Sequence, residues 1–350
     1  MAHIAVNPAQ LRNAAKGLQD EVAPDLKTQA QRLEGSYRIS PPGFGTVLSL
    51  LEAEYNATIS YHLQNLKVAG ESVAAVANGL ITTATAYDRA EQVNVDMTAG
   101  ARVGDPDGWG SGWTDTGLAR TFYQPLDGDG LGWGDVDQIV ALGTQLAAVA
   151  LAVSTACLAP GYLPAPITAA LLVADGFSIV ATSRDLSAIS STLESVAKEF
   201  DTYANGATAG WEDTSVVEYR KVVTEIGREL GQMTKALGAA GTMLTAVAAL
   251  IGAFWLAFVA FTLPFFVTIL ELTLYSIGPQ AAVLQPIIQG LSTLAGQAWL
   301  TASGTVITIC VATGTLILGV VKEWSNFQRF DEQGDSTPDL KQVKIEWHSA

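Results

Sequence analysis

Tyr87-Asp88-Arg89-Ala90-Glu91 closes the stripe whose reading decides the fold of this chain. Counting back from Tyr87, apolar residues stand at Leu80, Val76, Val73, Leu66, Leu63, Ile59, Tyr55, Leu51 and Val47, in steps of three, four and seven. That spacing turns one face of a long helix toward a core. Ahead of it, Ser40-Pro41-Pro42-Gly43 is a firm break. A first stripe precedes the break, at Leu11, Ala14, Ala15, Leu18, Val22, Leu26 and Leu33. Asn7-Pro8 opens it, with Asn as the cap and Pro in the first turn. Pro24 is expected to kink this helix without ending it. Two such helices joined by a short turn pack antiparallel and leave apolar surface for a partner or another part of the chain. Residues 1–92 therefore read as a helical hairpin. Tyr87 and Glu91 lie one turn apart on one face. Such a pair forms a local hydrogen bond, or presents a ring and a charge together to a receptor groove.

The composition narrows the function. Of 350 residues, 49% are hydrophobic and 15% charged, against about 25% charged in an ordinary soluble domain. There are 34 carboxylates to 19 Lys and Arg, net −15. Nucleic-acid binding needs a basic face and is excluded; an acidic surface instead helps keep an apolar-rich chain in solution. Cys157 and Cys310 both sit in apolar runs, and His3, His62 and His348 are scattered. No disulfide framework, metal site or cofactor is expected. A nucleophile elbow, a phosphate-binding glycine loop and clustered His with Ser or Cys are all missing from the sequence, so it does not read as an enzyme. His62 is expected at a surface or interface, near Tyr55, Tyr61 and Asn65. The first residues have no basic start and no apolar core, so no cleaved signal peptide is expected. Such a protein stays in the cytosol or leaves by a route that reads something else.

Beyond the hairpin the material changes. Residues 93–137 form an acidic linker rich in Gly and Trp, with Asp105-Pro106-Asp107-Gly108, Asp127-Gly128-Asp129-Gly130 and Trp109, Trp113 and Trp133. The aromatics predict an irregular ordered loop rather than a disordered spacer, and the aspartates do not fit a calcium-loop ladder. Residues 138–180 read as a hydrophobic helical pair broken at 159–166. An amphipathic helix follows from Leu186 to Tyr203, then Gly210-Trp211-Glu212-Asp213, and a helix to about Leu237. Trp211 at the tip with Asp213 as N-cap and Tyr219 beyond predicts a second hairpin, 186–237.

From Ala236 to Val321 the one charged residue is Glu271. Ala239–Ile269 carries Phe254, Trp255, Phe258, Phe261, Phe265 and Phe266, and Gly304–Val321 is a second uncharged run. Both are long enough to cross a membrane, and both equally suit helices buried in a soluble core or oligomer interface. Breaks are expected at 277–286, and residues 323–350 read as a polar arm. The chain is thus an all-α protein of helical hairpins and long hydrophobic helices. Its apolar body spans 138–322.

The Val6-Asn7-Pro8-x-x-Leu11 start, the Pro-Gly-Phe turn and Tyr87-x-x-x-Glu91 resemble EspC-type substrates of the type VII (ESX) secretion system, within the WXG class of helical hairpins. The resemblance covers residues 4–92. It implies that Tyr87 and Glu91 are the export signal, read by the secretion ATPase or adjoining components. Trp211, Asp213 and Tyr219 resemble the WXG turn, with Asp213 replacing its glycine, and the body resembles that of EspA. The resemblance implies a secreted or cell-surface protein helped by a cytosolic chaperone or a co-secreted WXG-like partner, acting as a membrane-associated, pore-forming or homo-oligomeric structure. The second reading is an integral membrane component anchored by the two apolar runs, with the hairpin as a cytoplasmic docking module.

Overall fold

The computed structural model describes residues 7–36, 39, 43, 45–98, 133–211 and 215–331, and every regular element among them is helical. Helices α1 (Pro8–Gly17) and α2 (Ala23–Ser36) form one rod joined by a π turn at Leu18–Val22. Asn7 caps the rod, its Oδ1 accepting from the amides of Ala9 and Gln10 at 3.1 and 3.3 Å. Pro24 does not end it. The π turn widens just ahead of the proline, and Ala23 N–H reaches back five residues to Leu18 O. That shift accommodates a ring that cannot donate.

Helix α3 (Gly45–Thr98) returns antiparallel along the rod. Leu11, Leu18, Val22, Leu26 and Leu33 bury against Ile59, Leu66, Val73, Val76 and Leu80 in one core. Both predicted stripes are buried faces, the first from Leu11 to Leu33 and the second from Tyr55 to Leu80, with Tyr87 half-buried. Two features differ from expectation. Helix α3 continues past Glu91 to Thr98, because no Gly or Pro intervenes before Gly100. His62 is buried rather than at a surface, its ring edge-on to Tyr61 with centroids 6.0 Å apart.

Burial without a charged partner favours the neutral imidazole and lowers the His62 pKa from 6.5 to about 4. Between those values the unfolded chain binds a proton that the folded chain refuses, so stability falls on acidification through that window. The expected loss from pH 7 to 4 is on the order of 3 kcal/mol. It is read as the part of the drop in urea midpoint that His62→Phe removes.

Helices α4 (Trp133–Leu158), α5 (Pro164–Leu171), α6 (Gly176–Ala207), α7 (Ser215–Tyr275) and α8 (Ala281–Asp331) complete the molecule, with a 3-10 turn at Pro160–Tyr162. The linker expected over 93–137 is shorter at both ends, and residues 99–132 lie outside the described residues. The pair expected over 138–180 is α4, the 3-10 turn and the short α5, followed by a break at 172–175. The break arises because Asp175 caps the next helix, Oδ1 accepting from Ser178 N at 3.0 Å. Helix α6 therefore starts at 176, not 186.

Helix α7 does not stop near Leu237, nor at Pro264. It runs from the polar part of the chain into the apolar part as one rod. The break before α8 is confined to 276–280, and Pro286 lies inside α8. That helix extends to Asp331, into the region read as a polar arm; residues 332–350 lie outside the described residues.

Helices α6 and α7 approach closely through small residues. Ser183 Oγ donates to Gly241 O at 2.8 Å, and Ser190 Oγ to Thr234 O at 2.8 Å. A Cβ on Gly241 would stand 2.9 Å from Ser183 O, a backbone atom. Gly241→Val is expected to part the helices and cost about 3 kcal/mol, by the overpacking such contacts entail; thermal unfolding measures it.

The molecule has two ends and a waist. Among the described helices, 7–36, 45–98 and 176–235 carry most of the charges and pack as a polar bundle; 138–174 and 236–321 are charge-free except for Glu271, the first part of that α7 run packing on α6 and the α7–α8 hairpin beyond Trp255 forming an apolar lobe with 159–171. At the waist the connections interlock. Asp175 N donates to Gly43 O at 3.1 Å, the Gln145 amide bonds both N and O of Ala174 at 3.2 Å, and Trp255 Nε1 donates to Leu172 O at 2.9 Å. Gly45 has φ +68°, and a Cβ there would lie 2.5 Å from Val173 O. A glycine is required there.

Candidate functional site

The first two turns of α1 touch both other chain segments at the polar end. Arg12 pairs with Asp88 on α3, and Gln10 Nε2 donates to Gly206 O at the end of α6 at 2.8 Å. Tyr87 and Glu91 flank Asp88 one turn apart, Tyr87 half-buried and Glu91 exposed. They are not at the helix terminus, as the pattern predicted, but on an intact helix at the open end of the bundle. Their backbone is therefore fixed, and the Arg12–Asp88 pair holds this part of α3 to the rod. Being solvent-exposed, the pair adds little stability and mainly orients.

Gly206 leads into the turn between α6 and α7. Gly210 adopts φ +78°, and Trp211 N donates to Thr208 O at 3.2 Å. The turn folds the Trp211 indole inward against Tyr219, ring centroids 5.4 Å apart, while the Tyr219 hydroxyl donates to Ala204 O at 3.2 Å. Trp211, Val216 and Tyr219 are all buried. Asp213, expected as the N-cap, lies outside the described residues. Beside this turn is a cleft of about 360 Å³ lined by Asp201, Asn205, Thr208, Tyr219, Arg220 and Thr224.

By sequence, Tyr87/Glu91 and Trp211/Tyr219 fall in separate hairpins more than a hundred residues apart. Through Gln10 and Arg12 the fold brings them to one end of one body. Those two bridging residues were missed, because nothing in the spacing of α1 distinguishes a bridging side chain from a solvated one.

At the opposite end the six aromatic residues divide. Phe254, Trp255 and Phe258 are buried, Phe265 and Phe266 half-buried, and Phe261 exposed. Phe258 stacks with Phe254 and packs edge-on against Trp255, centroids 5.8 and 5.6 Å apart. Trp299 of α8 closes the cluster, 5.0 Å from Phe258 and 5.7 Å from Phe261. Tyr162 bonds Thr262 through its hydroxyl at 3.2 Å and lies 4.9 Å from the Phe265 ring. The set is thus both core and surface, where the sequence left the two readings open.

The lobe also exposes large apolar side chains on α4, α5, α7 and α8. Among the described residues, four helices are long and apolar enough to cross a membrane. Cys157 is exposed, Cys310 is buried, and both are free. Among the described residues no three His, Cys, Asp or Glu side chains converge on a metal-sized site. No protein-family model, curated protein or solved structure matches the chain.

Proposed function

We propose that this chain is a substrate of a type VII (ESX) secretion system. In this reading its polar end is the recognition surface and its apolar lobe acts at a membrane after export. The observation that carries the proposal is the division of labour along the molecule. The Tyr87/Glu91 pair and the Trp211 turn share one rigid, charged end, while the apolar α7–α8 hairpin beyond Trp255 stands at the other. A secretion ATPase needs an ordered surface feature to read, and an exposed acid one turn from an aromatic ring on a braced helix offers one. A cytosolic chaperone or co-secreted WXG-like partner would cover apolar surface before export, since exposed patches this extensive are rare on soluble monomers. Outside the cell the lobe would be covered by lipid or by further copies of the chain. No catalytic role is proposed.

The four long apolar helices also favour a second reading, an integral membrane component with the polar bundle as a docking module. Cell fractionation separates the two. On the first reading the protein appears in the culture filtrate or on the cell surface. There Tyr87→Ala and Glu91→Ala each lower its export about tenfold or more, the loss of one anchor's worth of recognition. On the second reading the protein stays in the inner membrane and neither substitution moves it.

A further inference from the structure

We propose that the end of the lobe, the α7–α8 hairpin of residues 255–300, enters a lipid bilayer tip first, and that the charge on Glu271 sets how readily it enters. This presupposes the membrane-seeking reading of the lobe given above.

Length comes first. Trp255 is anchored at the waist through Leu172 O. From there α7 rises to Tyr275, about 30 Å at ~1.5 Å per residue, the thickness of a bilayer's hydrocarbon core. Helix α8 returns about the same distance between Ala281 and Leu300.

Exposure comes second. On α7, Leu256, Phe261, Leu263, Val267 and Leu274 are exposed, and at 100° per residue they spread over roughly 160° of the helix. On α8, Val283, Ile287, Leu294 and Leu300 spread about as widely. A second copy docking through one helix seam would cover a narrower stripe than either. A hydrocarbon solvent covers both arcs at once.

The tip is also built for lipid. Tyr275 and Ile277 are 70% and 79% exposed. The tip closes its own backbone bonds, Ile277 N to Leu274 O at 3.3 Å and Ala281 N to Gly278 O at 3.0 Å, and Pro279 has no amide to satisfy. Exposed hydroxyls bond their own helices, Thr268 to Pro264 O and Thr301 to Gln297 O, both at 3.0 Å. Away from the apex, where the amides of Gly278 and Gln280 make no backbone bond, most of the hairpin's backbone is paired, as lipid contact demands. Of the exposed glutamines on this arm of α8, Gln285 stands toward the tip and Gln297 toward the waist, and Gln289 stands near mid-length as an uncharged amide.

Glu271 is the exception. It is exposed on the apolar arc of α7, one turn before the tip. The elements packed around the hairpin supply no counter-ion: α4 from 138, residues 159–171 and α8 to 321 contain no Asp, Glu, Lys, Arg or His. The carboxylate must therefore cross alone and charged, or take a proton from water and cross neutral. The neutral form crosses far more easily.

The experiment uses the full chain with Ile277→Cys in a Cys157→Ser background, a fluorophore on the introduced thiol at the tip, and phosphatidylcholine vesicles holding a quencher in their lumen. Lumenal quenching reports the tip's arrival. The expected rate rises as the pH falls from 7 to 5, is about tenfold or more higher at pH 7 and nearly flat in Glu271→Gln, and keeps its slope in Glu271→Asp. Any slope that buried His62 contributes is common to all three. A slope unchanged in Glu271→Gln overturns the role of that residue. Co-flotation with vesicles but no lumenal quenching at any pH overturns tip-first entry while leaving the membrane reading intact. No flotation, with apolar self-association in its place, removes the membrane reading and this proposal together.

Discussion

Phe258→Ala is expected to cost about 4 kcal/mol, the usual loss on emptying a buried aromatic site. Phe258 is fully buried, with three aromatic rings within 6 Å, centroid to centroid, two from its own helix and one from α8. Removing the ring takes from Trp299 the aromatic neighbour 5.0 Å away and opens a cavity where α7 and α8 meet. The neighbouring Leu256, 75% exposed, supplies the control. Leu256→Ala is expected to cost well under about 1 kcal/mol in detergent, where the side chain merely exchanges one apolar contact for another. Thermal unfolding of the detergent-solubilised protein, followed by near-ultraviolet circular dichroism, measures both. Equal small losses would mean that the aromatic cluster faces lipid rather than a protein core.

Trp211→Ala is expected to cost about 3 kcal/mol or more, concentrated at the polar end. The indole is 3% exposed and packs on Tyr219. It closes a turn whose backbone already depends on the positive φ of Gly210. Its loss frees the end of α6, and the Gln10 bond to Gly206 O goes with it. Hydrogen exchange should rise tenfold or more over 200–223, at about 1.4 kcal/mol per factor of ten. The region around Phe258 should stay protected. Tyr219→Phe, losing only the bond to Ala204 O, is expected to cost about 1 kcal/mol.

The fold was legible where periodicity is strong. The stripes from Leu11 to Leu33 and from Val47 to Tyr87 give both arms of the first hairpin, because two faces of different polarity leave one way to pack. Helix ends were less legible. Asp175 is a lone carboxylate in a greasy run, and only its following Gly176 hints at a cap. Pro264 and Pro286 are usual breakers, yet both sit inside helices. In a charge-free helix, packing against neighbouring rods and the scarcity of polar alternatives outweigh one lost hydrogen bond. Of the site, the residue types were readable but their convergence was not. The contacts of Arg12 with Asp88, Gln10 with Gly206 and Phe258 with Trp299 are all long-range, and one sequence carries no local sign of them. The burial of His62 was hidden because its own stripe also carries polar residues.

The most direct measurement is the amount of this protein outside cells whose type VII secretion ATPase is intact, compared with cells in which that ATPase is inactive. A type VII substrate is expected in the filtrate or on the surface only when the ATPase works, with unchanged amounts inside the cell. Equal amounts outside in both strains, or protein held in the inner membrane of both, would contradict it.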